Sequence, residues 1–153
     1  MQMPRPTEAH SRLQLFAGEW QGEEVMHPSP WSPTQMTATA IIRGRIALDG
    51  FAAIGEYEQS MGGTCTFRGH AVYTYDQETQ EYVLHWFDSM GGKCNVFRGR
   101  FDGNLCSLVS SSPMGQHRMT YDFRDPNRPR SRMEVSQDGR SWTPFFDGSY
   151  TRR

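Results

Sequence analysis

The stretch "SMGGTCTFRG" (Ser60 to Gly69) returns as "SMGGKCNVFRG" (Ser89 to Gly99), with one residue more between Cys and Phe. Each copy opens on a Gly-Gly turn and runs into residues that alternate in polarity. Phe67, Ala71, Tyr73 and Tyr75 share one parity with Tyr82, Leu84 and Trp86 of the next segment. Arg68, His70, Thr74, Val83, His85 and Phe87 share the other. A period of two is the mark of a strand with one buried face, and the aromatic set is the inward one. The same parity turns Cys65, Cys94 and Asp88 inward. Beyond Cys94, strict alternation would bury Arg98 and Arg100 without partners, at roughly several kcal/mol each. The additional residue at Asn95-Val96 therefore predicts a β-bulge, which shifts parity by one and returns Phe97, Gly99 and Phe101 to the inside.

The rest of the chain has the same texture. Strands are predicted at about 19–26, 36–46, 51–59, 64–75, 81–88, 94–101, 105–111, 117–124, 130–136 and 142–151, separated by short turn signals. "LDGF" and "FDGNL" carry the Asp-Gly hairpin dipeptide. Alternation places Ile42, Ile46, Leu48, Phe51, Ala53 and Tyr57 inside, with Arg43 opposite Glu56 outside. In "HRMTYDF", His117, Met119, Tyr121 and Phe123 face in; in "SRMEV", Ser131, Met133 and Val135 do. At the start, Thr7 can cap a short helix over about 7–16, with Leu13 and Phe16 on one side and Gly18 as its stop. The fold expected is all-β: a ten-stranded antiparallel up-and-down barrel, over about 19–151 of a single 1–153 domain, with the helix plugging one end. Closure into a barrel leaves no sheet edge exposed. Alternate connections then fall at opposite ends. The plugged end collects "LDG", "QETQ", "DGN" and "DPNRP". The other collects "HPSPWSPTQ", both Ser-Met-Gly-Gly copies, "SSPMGQ" and "SQDGR".

Composition narrows function by exclusion. The 153 residues carry a net charge of -1, so no basic surplus is available for phosphate backbones, and no nucleic-acid partner is expected. All but one of the 16 basic residues are Arg, Lys93 being the exception, which reads as codon bias rather than as anion clamps. No apolar stretch approaches membrane-spanning length and the N-terminus has no signal-peptide core. A cytoplasmic location, no membrane and free thiols at Cys65, Cys94 and Cys106 are the expectations. Three cysteines without a C-x-x-C pair make no zinc signature.

"FAGEWQG", with Gly18 and Trp20, resembles the Gly-x-Trp signature of lipocalin-like (calycin-type) barrels. That resemblance implies an Arg near the chain end packed on the Trp, and Arg152 or Arg153 could serve. More broadly, Glu19-Trp20, Glu56-Tyr57, Gly69, Tyr75-Asp76, Trp86, Asp88-Ser89-Met90 and Pro144-Phe145 are similar to a bacterial lipocalin-like family of unassigned function. The resemblance covers essentially the whole chain and implies the barrel, not an activity.

Inside such a barrel the expected ligand is small and largely apolar or amphipathic. Tyr57, Tyr73, Trp86, Phe97 and Tyr121 are the expected walls, Met61, Met90 and Met114 the rim, and Asp88 with His117 the polar anchors. Asp88 alternatively caps its own turn through the amides of Met90 or Gly91. Trp31, in the Pro-rich first loop, either lies across the mouth as a lid or packs on a proline. Met61, Cys65, Met90 and Cys94 form a soft donor set that copper(I) would suit, but flexible Met and small inward Cys equally suit an apolar rim. No metal site and no cofactor are expected. Two other functions fit the same residues: a small isomerase or hydrolase using Asp88 and His117 as acid and base, and a filled barrel serving as a protein-interaction domain. Ligand identity and oligomeric state are not written in the sequence.

Overall fold

The computed structural model of the chain describes every residue except Trp31. The lid expected of Trp31 therefore lies outside the described residues. Ten strands follow a short helical segment: β1 Gly18–Met26, β2 Met36–Ala47, β3 Ala52–Met61, β4 Thr64–Asp76, β5 Glu81–Asp88, β6 Asn95–Asp102, β7 Leu105–Ser112, β8 Gly115–Asp122, β9 Arg130–Ser136 and β10 Thr143–Arg152. Each strand pairs antiparallel with its sequence neighbours, and β1 pairs β10 from Trp20↔Arg152 to Met26↔Phe146, closing the barrel. Every strand thereby finds a partner on both sides, and no row of backbone donors is left open.

The N-terminal segment is an α-helical turn, α1 (Glu8–Ser11), continued by a 3-10 stretch at Arg12–Phe16, instead of one α-helix over the expected span. It seals one end. Leu13 is fully buried, and Phe16 stacks on Tyr73 with ring centroids 3.9 Å apart. Burying two such side chains is worth roughly 1.5–3 kcal/mol each. The Tyr82 hydroxyl donates to the Ala9 carbonyl at 2.5 Å, and Arg12 donates to the Gly103 carbonyl while lying over the Phe101 ring. These contacts place the plug at the end that carries the β6–β7 turn.

Parity holds along most strands. The "LDG" connection is an exception: Leu48 and Asp49 both take positive φ, at 52° and 56°, and with Gly50 form a 3-10 turn. The ladder ends at Ala47↔Ala52, so Leu48 leaves the alternation and is exposed rather than inward.

The Asn95-Val96 bulge is not there. Trp86↔Asn95, His85↔Val96 and Leu84↔Phe97 form an unbroken ladder. The added residue is absorbed before the strand, in the loop that holds a half-buried Cys94, where it disturbs no ladder bond. The bulge lies in the first copy instead. There the ladder starts at Met61↔Thr64 across a two-residue Gly62-Gly63 turn, with φ of 57° and 82°, too tight to absorb a parity change. The register slips between Gln59↔Phe67 and Ser60↔Cys65, leaving Thr66 unpaired and turning Cys65 outward to an exposed position. Cys65 is thus corrected from inward to exposed.

Candidate functional site

The barrel is not filled. A cavity of 410 Å³ lies inside it, bounded by the plug at Phe16 and reaching Phe67, Phe145 and Phe146. Most of its surface is aromatic or aliphatic, the composition typical of small-molecule pockets. Of the residues singled out from sequence, Tyr57, Tyr73, Trp86, Phe97, His117 and Tyr121 line it. Met61, Asp88, Met90 and Met114 do not. Met90 and Met114 stand at the turn tips with 82% and 83% exposure, and Met61 is half-buried.

Trp86 owes its place to two neighbours. Asp88 accepts from the indole Nε1 at 2.7 Å through Oδ2, and from the Met90 amide at 3.0 Å through Oδ1. Asp88 is thereby both a turn cap and the clamp that orients Trp86, with both oxygens used. The indole lies over Gly69: a Cβ there would meet Trp86 Cη2 at 2.1 Å. His117 lines the cavity from β8, paired with Ser110 and Val135. His117 thus lines the cavity and Asp88 does not, its two oxygens being taken by the Trp86 indole and the Met90 amide.

Deeper, the Tyr73 and Tyr121 hydroxyls share a hydrogen bond at 2.9 Å. Burial pushes the pKa of both upward, with the partner hydroxyl adding to the rise at Tyr121, so both remain protonated at ordinary pH.

The most consequential polar group is one that sequence reasoning missed. Glu24 of β1 is fully buried and contributes to the cavity wall. Its Oε1 accepts from the Tyr57 hydroxyl and from Gln59 Nε2 at 2.9 Å; its Oε2 accepts from the Tyr150 hydroxyl at 2.6 Å. Tyr150 lies 2.9 Å from Ser131 Oγ in turn. Burial first, and the Glu24 charge second, raise the pKa of Tyr57 and Tyr150, keeping both as hydrogen-bond donors. Local register builds the cluster. Glu24 pairs with Gly148, and the Tyr150 side chain folds back over that glycine to reach the carboxylate. A Cβ on Gly148 would sit 2.1 Å from the Tyr150 hydroxyl. The signal was available: inward Trp20 implies inward Gly22 and Glu24 at period two.

At the mouth, a second register shift, between Pro144 and Phe146 of β10, sets both Phe145 and Phe146 against the cavity. Proline in a strand favours such bulges, because it cannot donate to the ladder. At the plugged end, the Arg152 guanidinium lies 5.1 Å from the centroid of the Trp20 ring, as the Gly-x-Trp resemblance implied. No group of three or more His, Cys, Asp or Glu among the described residues is placed to hold a metal ion. Among the described residues no helix is long and apolar enough to cross a membrane.

A family described as "Protein of unknown function (DUF1579)" matches residues 5–152. The chain belongs to the DUF1579 family. No curated protein matches it. Among solved structures, this DUF1579 member is similar to Rv2717c from M. tuberculosis, with a TM-score of 0.74 at 10% identity over 96% of this chain and 98% of that one. It is also similar to the S-type phycobiliprotein lyase CPES from Guillardia theta, with a TM-score of 0.63 at 11% identity over 97% and 98% of the two chains. At such identities the likeness is one of fold.

Proposed function

We propose that this DUF1579 protein is a lipocalin-like carrier or receptor that holds one small, largely apolar ligand inside its barrel. The observation that carries the reading is the 410 Å³ cavity, walled by Trp86, Phe97, Leu84 and Tyr73 and polar only at a few points. A barrel without such a task would gain from filling the space, since each void forfeits packing contacts. The same barrel in a phycobiliprotein lyase is compatible with an interior that receives a small molecule. Tyr57, Tyr73, Trp86, Phe97, His117 and Tyr121 are the residues proposed to touch it.

The test is saturable binding of a neutral apolar fluorophore such as Nile red, to wild type and to Gly55→Phe. Gly55 lines the cavity, and a Cβ there makes only ordinary contacts at 3.8 Å or more, so an aromatic ring would enter the empty space. One-to-one binding by wild type that weakens at least about tenfold, roughly 1.4 kcal/mol, in the filled variant is expected. Failure to saturate, or equal binding by both, refutes the reading.

A further inference from the structure

Glu24 sits in the wall of an apolar cavity, and no ion pair among the described residues includes it. Its hydrogen-bond donors among the described residues are all neutral groups: two phenols and one primary amide. The Tyr57 proton and the Tyr150 proton are committed to the carboxylate. The Gln59 amide turns its Nε2 to Glu24 at 2.9 Å and to the Tyr57 oxygen at 3.1 Å, leaving its carbonyl Oε1 without an internal donor among the described residues. With their protons spent on Glu24, these groups have acceptor lone pairs left to offer. Two basic residues stand at the lining, His117 and Arg130, and Arg130 is exposed, so that solvent screens its charge. The Tyr73–Tyr121 pair adds no charge. Tyr57 and Trp86 line the same cavity with ring centroids 6.0 Å apart, and aromatic faces attract cations.

We propose that the cavity selects its ligand by the sign of the polar end, taking an apolar molecule that ends in an amine or similar cationic hydrogen-bond donor and rejecting one that ends in a carboxylate. The selection rests on the ligand-binding reading above, and fails separately from it. A fatty-acid headgroup would lie against committed acceptors and a buried like charge, with desolvation on both sides. An ammonium would supply the counter-charge that Glu24 lacks inside the protein.

The test is calorimetric titration of the 153-residue protein with decylamine, decanol and decanoate at about pH 8, where the amine is protonated and the acid ionised. Decylamine is expected to bind at least about tenfold tighter than decanoate, with decanol between them. Glu24→Gln, which keeps the shape and removes the charge, should bring the amine-to-acid ratio to about one. Gln59→Leu, a milder change at a half-buried position, removes one acceptor and should lower the decylamine-to-decanoate ratio several-fold, and serves if Glu24→Gln does not fold. Decanoate bound as tightly as decylamine, or a ratio unmoved by the variants, overturns the selection while leaving the cavity reading standing. No binding of any of the three overturns both.

Discussion

Gly69→Ala offers a sharp test of how the echo motif positions the cavity wall. The added methyl would lie 2.1, 2.4 and 2.9 Å from Cη2, Cζ2 and Cζ3 of Trp86. Carbon atoms ordinarily meet at about 3.5 Å or more, so the indole must retreat by at least about 1.4 Å. It has little freedom to do so. Its Nε1 is held by Asp88 at 2.7 Å, and its ring lies 6.0 Å from Tyr57 and 6.5 Å from Phe67, centroid to centroid. A retreat of that size breaks the Asp88 bond. Overpacking costs about 1–3 kcal/mol and loss of a hydrogen bond to a charged group about 1.5–3 kcal/mol, the two overlapping because one movement relieves the first by incurring the second. The expected loss is therefore about 2–4 kcal/mol, read as a drop in urea midpoint with unchanged slope by far-ultraviolet circular dichroism. For a domain of this size it lowers Tm by about 4–16 °C. The indole is also displaced, so the near-ultraviolet dichroism and affinity for an apolar ligand change together. A loss below about 0.5 kcal/mol would refute the reasoning, since the clash would then have been relieved without moving Trp86.

Three further outcomes follow from the same packing. Gly55→Ala adds a methyl with its nearest neighbours at 3.8 to 4.0 Å, and should stabilise by about 0.5–1 kcal/mol in the same urea assay by restricting the unfolded chain; destabilisation would contradict the open space beside it. His10 is buried in the plug, its Nδ1 accepting from the Thr7 amide at 2.9 Å, and burial lowers its pKa below 6.5. The unfolded chain then binds the proton first, so stability is fully present above about pH 6.5 and is lost as pH falls through the folded-state value; His10→Phe should flatten that dependence in urea titrations between about pH 5 and 7. Burial drives the Cys106 thiol up to about 12, whereas Cys65 is exposed. A thiol reagent at neutral pH should therefore label Cys65 in the native protein and Cys106 only with unfolding, as read by mass spectrometry.

Most of the barrel was legible because inward aromatics recur at period two and the connections are short. Trp86, Phe97 and Tyr121 line the cavity for that reason. What escaped was local. Alternation cannot say whether an extra residue enters a strand or the loop before it, and the tight Gly62-Gly63 turn puts the bulge at Thr66 rather than at Asn95-Val96. Cys65 changed faces with it. Leu48 was misplaced because a positive φ at a non-glycine turn residue has no sequence signature. Glu24 was overlooked for a different reason: a carboxylate on an inward parity reads as an error until its three donors, drawn from β3 and β10, are seen in space.

Where a ligand lies can be read directly from magnetisation transfer between unlabelled decanol and isotope-labelled protein. Trp86 and Phe87 are consecutive on β5, the first lining the cavity and the second 46% exposed on the outer face; Phe97 and Val96 repeat the contrast on β6. Intermolecular contacts from the alkyl chain to Trp86 and Phe97, with none to Phe87 or Val96, are the predicted result. Contacts to Phe87 and Val96 without Trp86 and Phe97 would place the ligand on the outer surface and contradict the account.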